Sequence, residues 1–258
     1  MRSFMKTASY VLALLSSAIG VYGFDFLVFA QQHPPGYCRS TFKQKCIADR
    51  INESFTVHGL WPSAKDDSIQ NCDSRKFDVK DVQPIRSRLE KAWPSFRTND
   101  PTVFWAHEWK KHGTCGLGSP NLAGIFNYFN TTLTLHDRFD LRESLRKNGI
   151  TASSKTPYEI NKIRKALARD VQGNVQLICD KAEGYSNPIL TEVRLCLTEN
   201  LEVLDCPFKK ERCGKDLIFF LPQKQTASGG NKVGGLTVSN LMLPAALVVC
   251  TIIFHVNF

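Results

Sequence analysis

Two short stretches concentrate titratable side chains among aromatic ones: Phe55-Thr56-Val57-His58-Gly59-Leu60-Trp61-Pro62 and Phe104-Trp105-Ala106-His107-Glu108-Trp109-Lys110-Lys111-His112-Gly113-Thr114-Cys115. They hold three of the six histidines of the chain. The second stretch invites comparison with the zinc-binding HExxH pattern, whose histidines lie four apart on one helix face. Here His107 and His112 are five apart, and Lys111 fills the ligand position, where its charge would repel a metal. We therefore expect neither a metal nor another cofactor.

At about 100° per residue on a helix, setting Glu108 at 0° puts His112 near 40°, Lys111 near −60° and His107 near −100°. All four then share one face, and His107 with Lys111 and Glu108 with His112 form side-by-side pairs four residues apart. A single histidine is more often a hydrogen-bonded structural residue. Two histidines, a lysine and a glutamate converging on one face point instead to acid-base chemistry beside fixed positive charge. His58, on a separate strand, supplies a group able to approach a substrate from the opposite side.

Two opposed imidazoles and a lysine, without a metal, suit RNA. Its 2'-hydroxyl is a built-in nucleophile, so cleavage needs a base for that proton, an acid for the leaving 5'-oxygen, and positive charge for the phosphorane-like transition state. An unperturbed imidazole pKa of about 6.5 lets one ring be neutral while another is protonated in mildly acidic surroundings. Trp61, beside His58, reads equally as a base-stacking residue or as a core aromatic.

The elements that must position these groups are legible in outline. Residues 24–32 are apolar on both alternating faces, as in a strand buried on both sides, and residues 54–60 read as a second strand carrying His58. Val79, Val82, Ile85, Leu89 and Trp93 recur at helical spacing between 78 and 93. Further helices are expected at 104–112, 121–133, 140–148 and 157–170, then strands at 175–179, 189–197, 201–205 and 217–221. Helices in the middle and strands at both ends predict an α+β domain with a mostly antiparallel sheet packed against several helices.

The 258 residues are 43% hydrophobic and 22% charged, which fits one folded domain and disfavours disorder, collagen and coiled coil. Residues 1–23 have Arg2 and Lys6, an apolar run and a close near Gly23, as in a secretory signal peptide. Residues 24–226 form the domain. Residues 227–258 offer small residues at Ser228 to Gly230, a mostly polar spacer and an apolar tail, the order of a glycolipid anchor signal. A removed C-terminal propeptide and a retained membrane helix remain open alternatives. Dropping residues 1–23 and 229–258 removes three cations (Arg2, Lys6, Lys232) and no anion, which takes the net charge from +9 to +6. The basic character belongs to the domain and favours an anionic partner, nucleic acid or a membrane surface.

Of nine cysteines, Cys250 lies in the tail, leaving Cys38, Cys46, Cys72, Cys115, Cys179, Cys196, Cys206 and Cys213. Eight in a secreted chain read as four disulfides of undetermined connectivity; no CxxC pair supports a zinc cluster. The triplets Asn52-Glu53-Ser54 and Asn130-Thr131-Thr132 are glycosylation acceptors by sequence.

FTVHGLWP and FWAHEWKKHGTC resemble the two active-site segments of the ribonuclease T2 family, secreted enzymes that include the plant S-locus and S-like ribonucleases. The resemblance extends over about residues 24 to 222, through FDFLVFAQQ, Tyr37-Cys38, Asn71-Cys72-Asp73 and the late cysteines. It implies the ribonuclease T2 fold and a metal-independent endoribonuclease that cleaves single-stranded RNA through a 2',3'-cyclic phosphate. In it His58 is the general acid, His112 the general base, Glu108 and Lys111 stabilise the phosphate, His107 helps to hold it, and Trp61 stacks a base. It also implies disulfides Cys38 to Cys46, Cys72 to Cys115, Cys179 to Cys213 and Cys196 to Cys206. Ser63 stands where many relatives have a base-contacting Asp, and His33 where Trp is common; His33 is expected to be structural. A monomer of the secretory pathway is expected, extracellular, at the cell surface or vacuolar, with no protein partner identified. Two other readings keep the fold: a self-incompatibility recognition ribonuclease, and an inert storage or RNA-binding relative.

Overall fold

A computed structural model describes residues 23–41, 46–65, 69–207, 213–214 and 216–223. The signal peptide, apart from Gly23, and the whole of the 227–258 tail lie outside the described residues.

The chain opens with β1 (Phe26–Gln32), every residue of which is buried, and a short α1 (Pro34–Tyr37). After β2 (Thr56–Ser63) the helical part follows: α2 (Arg86–Ala92), α3 (Thr102–Lys111), α4 (Ile125–Arg138) and α5 (Leu141–Lys147). The two-residue β3 (Tyr158–Glu159) leads into α6 (Ile160–Val171), then β4 (Val175–Asp180), β5 (Ile189–Leu197), β6 (Val203–Leu204) and β7 (Leu217–Ile218). The main sheet runs β2-β1-β5-β4, with β6 also on β5, and every pairing is antiparallel; β3 and β7 form a separate pair. The expected α+β class is observed.

Several expected elements differ in extent: the strand expected at 201–205 is only β6, and the helix expected at 121–133 runs over Ile125–Arg138. The apolar spacing across 78–93 is carried by a 3₁₀ turn, Val79–Ile85, followed by α2, because Pro84 cannot donate to a continuous α-helical ladder. The strand expected at 217–221 pairs with β3 over only two residues.

Antiparallel partners point to the same face of a sheet, and successive residues to opposite faces. Leu27, Phe29 and Leu60 thereby join the main core with Trp93, Trp105, Trp109, Tyr128 and Phe129. Phe26, Val28 and Cys196 gather on the other face, with Trp61 packed on them. The three buried indoles each donate to a backbone carbonyl, as buried tryptophans must: Trp93 to His58, Trp105 to Trp93, and Trp109 to Arg75, at 3.1, 2.8 and 3.0 Å. Tyr128 donates to the Leu60 carbonyl at 3.0 Å. On β2, an edge strand, the carbonyls of His58 and Leu60 are thus bonded by the helical layer rather than by another strand. Truncating such a buried aromatic to Ala typically costs about 3–5 kcal/mol.

Four disulfides close the domain: Cys38–Cys46, Cys72–Cys115, Cys179–Cys213 and Cys196–Cys206, the pairs that the resemblance implies. The second joins the segment after α3 to the loop at Asn71, whose amide donates to the Lys111 carbonyl at 2.9 Å.

Candidate active site

The register between β1 and β2 slips once: Ala30 faces Gly59, Gln31 faces Val57, and His58 is the extra residue. A bulge bends its strand and re-aims a side chain, and here that side chain is an imidazole 29% exposed. Trp61, three residues on, donates its indole N–H to Glu108 Oε2 at 2.9 Å. Its ring lies 5.0 Å from His58 edge-on and 5.2 Å from His112. Trp61 therefore links the strand that carries one histidine to the helix end that carries the other.

That helix, α3, begins where Asp100 Oδ1 accepts from the Thr102 amide at 2.9 Å. It ends one residue earlier than the spacing predicts. The His112 amide still bonds the Glu108 carbonyl, but φ −122° and ψ −48° take His112 out of the helix, into a 3₁₀ turn at Gly113–Gly116. A Cβ on Gly113 would lie 2.5 Å from the Trp109 ring, so only glycine lets the chain turn this closely. The single helical face expected for His107, Glu108, Lys111 and His112 is thus an approximation. Glu108 is buried, Lys111 and His112 half-buried, and His107 exposed at the rim, 4.0 Å from Glu108.

Charge separates the two central histidines. Burial alone would lower the His58 pKa, but the charge and hydrogen bond of Glu192, aided by Glu108, outweigh it and leave the pKa raised. Glu192 Oε2 stands 2.5 Å from His58 Nδ1. His112 moves the other way: burial, then the charges of Lys111, His58 and His107, take it down to about 3. The ring of His58 is therefore biased toward its protonated form and that of His112 toward its neutral form. Burial raises the Glu108 carboxyl, opposed by His58, the Trp61 hydrogen bond and Lys111. His107 is lowered by burial and by Lys111.

Among the described residues, no group of three or more His, Cys, Asp or Glu side chains is disposed to hold a metal ion. Ser63 closes β2 with its hydroxyl on the Trp61 carbonyl at 3.0 Å. His33 is fully buried away from the site, between Phe55 and Phe220. Asn52 is exposed and accepts from the Ser54 amide, whereas Asn130 is half-buried within α4 and its sequon partner Thr132 is buried.

A family model described as the Ribonuclease T2 family matches residues 24–206. The chain belongs to that family. This ribonuclease, an endoribonuclease of the T2 type, is 34% identical to Ribonuclease Oy of Magallana gigas over 208 residues, which cover 77% of this chain and 96% of the relative. Ribonuclease DdI of Dictyostelium discoideum is also 34% identical, over 71% of this chain and 78% of its own. The crystal structure of RNase NT in complex with 5'-AMP superposes with a TM-score of 0.68 at 30% identity, over 76% of this chain and 98% of that one.

Sequence reasoning missed two residues of this ribonuclease, Glu192 and Arg194. The signal was there: two opposite charges, two apart and so on one face, inside an otherwise apolar strand that the sequence already marked at 189–197.

Proposed function

We propose that this ribonuclease cleaves single-stranded RNA without a metal, by transesterification to a 2',3'-cyclic phosphate, with His112 as general base and His58 as general acid. The observation that supports the reading is geometric: both imidazoles lie against the Trp61 ring, at 5.0 and 5.2 Å, and only His58 is held by a carboxylate, Glu192, so that the two rings are biased toward opposite charge. Neutral His112 takes the 2'-hydroxyl proton as O2' bonds to phosphorus. The P–O5' bond breaks, and His58 gives its proton to the departing 5'-oxygen. Lys111 and Glu108 meet the charge that develops on the phosphoryl oxygens, and His107 borders the same space. Each proton transfer contributes typically about 10²- to 10⁴-fold. The roles exchange when water opens the cyclic phosphate.

Trp61 has part of its ring committed, with the Arg194 guanidinium 5.0 Å from the ring centroid. Its remaining exposed surface is the proposed base contact, and Ser63 takes the place of a carboxylate there. Four disulfides agree with an oxidising compartment, so we place the chain in the secretory pathway, glycosylated at the exposed Asn52. No helix among the described residues is long and apolar enough to cross a membrane. Residues 241–258 are proposed to be absent from the mature protein, by lipid-anchor exchange or sorting cleavage; mass spectrometry of the mature C-terminus tests this, and an intact Phe258 would refute it.

The mechanism is tested by incubating the secreted protein with RNA and with DNA in excess EDTA and analysing the product ends. RNA fragments with 2',3'-cyclic ends and intact DNA are expected. Cleavage that depends on added divalent metal would overturn the reading.

A further inference from the structure

Two charged residues of β5 stand behind the site. Across antiparallel β1, Arg194 is level with Ala30 and Glu192 with Gln32, and β2 lies beyond. Ala30 is fully buried and, with only a methyl group, leaves room for side chains of β5 to cross above it to β2. Glu192 makes that crossing. Its side chain is 7% exposed, one carboxylate oxygen is 2.5 Å from His58 Nδ1, and the other takes the Arg194 Nε–H at 2.6 Å. Arg194 also lies over the Trp61 ring.

A buried carboxylate between two cations can be no more than a structural pair, and replacing such pairs often costs little. The atom it binds argues otherwise. Taking the Nδ1–H of His58 fixes the tautomer and ring plane, and leaves Nε2 as the nitrogen that can carry the exchanging proton. His112 has no such arrangement: its own Nδ1 is buried without a hydrogen-bond partner. The site thus orients one imidazole with a charged group and leaves the other neutral.

We propose that Glu192 is the positioning residue of His58, holding its Nδ1 so that Nε2 faces the leaving 5'-oxygen, and that Arg194 keeps Glu192 ionised and aimed. The proposal rests on the reading of His58 as proton donor. Arg194 holds Glu192, Glu192 orients His58, and His58 Nε2 delivers the proton; Glu192 itself neither gains nor loses one. The carboxyl of Glu192 agrees: burial would raise its pKa, yet His58 and Arg194 take it down to about 2. The groups that face His58 are Glu192 and Arg194 from β5, Glu108 from α3, and the His107 and His112 rings, with Lys111 acting on both of those rings.

Glu192→Gln keeps the shape and removes the charge. We expect kcat to fall by about 10²- to 10⁴-fold, by analogy with removal of the orienting carboxylate in other histidine-dependent sites, with KM changed only a few-fold. The basic limb of the kcat/KM profile, where His58 loses its proton, moves to lower pH, while the acidic limb set by His112 stays in place. Glu192→Asp restores part of the rate. Unchanged kcat and limbs in a folded Glu192→Gln variant would overturn the proposal, as would a lower kcat that tracks lost stability with the basic limb unmoved. A measurement on the unaltered protein covers the case in which the variant does not fold. Nitrogen-15 spectra of the neutral His58 ring should show the Nδ1–H tautomer, and the Nε2–H tautomer would overturn the proposal. Near-wild-type turnover in a folded His58→Ala variant would instead refute the proton-donor reading and leave the tautomer result standing, so the two failures are distinguishable.

Discussion

A Cβ placed on Gly59 would stand 2.3 Å from Glu108 Oε2, and 2.2 Å from the Trp61 Nε1 that donates to that same oxygen. The residue after His58 is therefore glycine because the strand and the helix meet through a hydrogen bond that no side chain can coexist with. Gly59→Ala must part Trp61 from Glu108. We expect activity to fall at least about tenfold and stability by about 1–3 kcal/mol, the usual cost of overpacking a close contact. Steady-state kinetics and thermal unfolding check this. Trp61→Phe, which deletes the indole donor, should cost less in the Gly59→Ala background than in the native one, because that background has already lost the hydrogen bond.

Replacing His58 or His112 by Ala removes a proposed proton-transfer group, and turnover should fall by about 10²- to 10⁴-fold in each. Lys111→Ala should keep the fold, by circular dichroism, and lose rate through weaker transition-state stabilisation. A folded His112→Ala variant with near-native turnover would show that the base has been misassigned.

The rate should tolerate acid. His112, taken down to about 3, stays neutral in mild acid, and His58, raised by Glu192, stays protonated there. The kcat/KM profile should therefore form a plateau around about pH 5. It falls on the alkaline side as pH rises through the raised His58 pKa, and on the acid side only as His112 gains its proton. A sharp optimum above about pH 8 would contradict the assignment.

Stability responds to pH through His33. Its Nδ1 is 3.3 Å from the Leu190 carbonyl and its Nε2 is buried without a partner. Burial, only partly offset by that carbonyl, takes its pKa down to about 3. The unfolded chain binds a proton below the ordinary imidazole value and the folded chain does not. The stability tied to His33 is thus fully present above about pH 6.5, and is lost by up to about 1.4 kcal/mol per unit as pH falls toward 3. His112 acts in the same direction. His58 acts in the opposite one: its pair with Glu192 is fully present below the ordinary imidazole value and is lost as pH rises through the raised pKa. His33→Phe, which fits between Phe55 and Phe220, should flatten the decline of Tm between about pH 6 and 4. An unchanged slope would remove His33 from this account.

Much of the site could be read locally because its chemistry is local: His107, Glu108, Lys111 and His112 fall within one helical turn and a half, and His58 within four residues of Trp61. The helix end at Lys111 could not, since it depends on how closely Gly113 packs on Trp109. Glu192 escaped because it reaches His58 across 134 positions and an intervening strand, an adjacency that strand order sets and no spacing reveals. The α+β layout followed from periodicity. Pro84 alone could have warned that the 78–93 pattern would be two elements.

The Cys72–Cys115 bond, with the Asn71 to Lys111 contact beside it, ties down both sides of the segment that carries His112. The proposed general base is thus held by a covalent bond that forms only in oxidising surroundings, which would make the enzyme's competence conditional on its address. A copy retained among the cell's own transcripts, where thiols stay reduced, would lack the tether that keeps His112 opposite His58. A titration with reductant should lower turnover together with this bond, and before global unfolding. The latch that aligns the base would then double as protection for the cell that makes it.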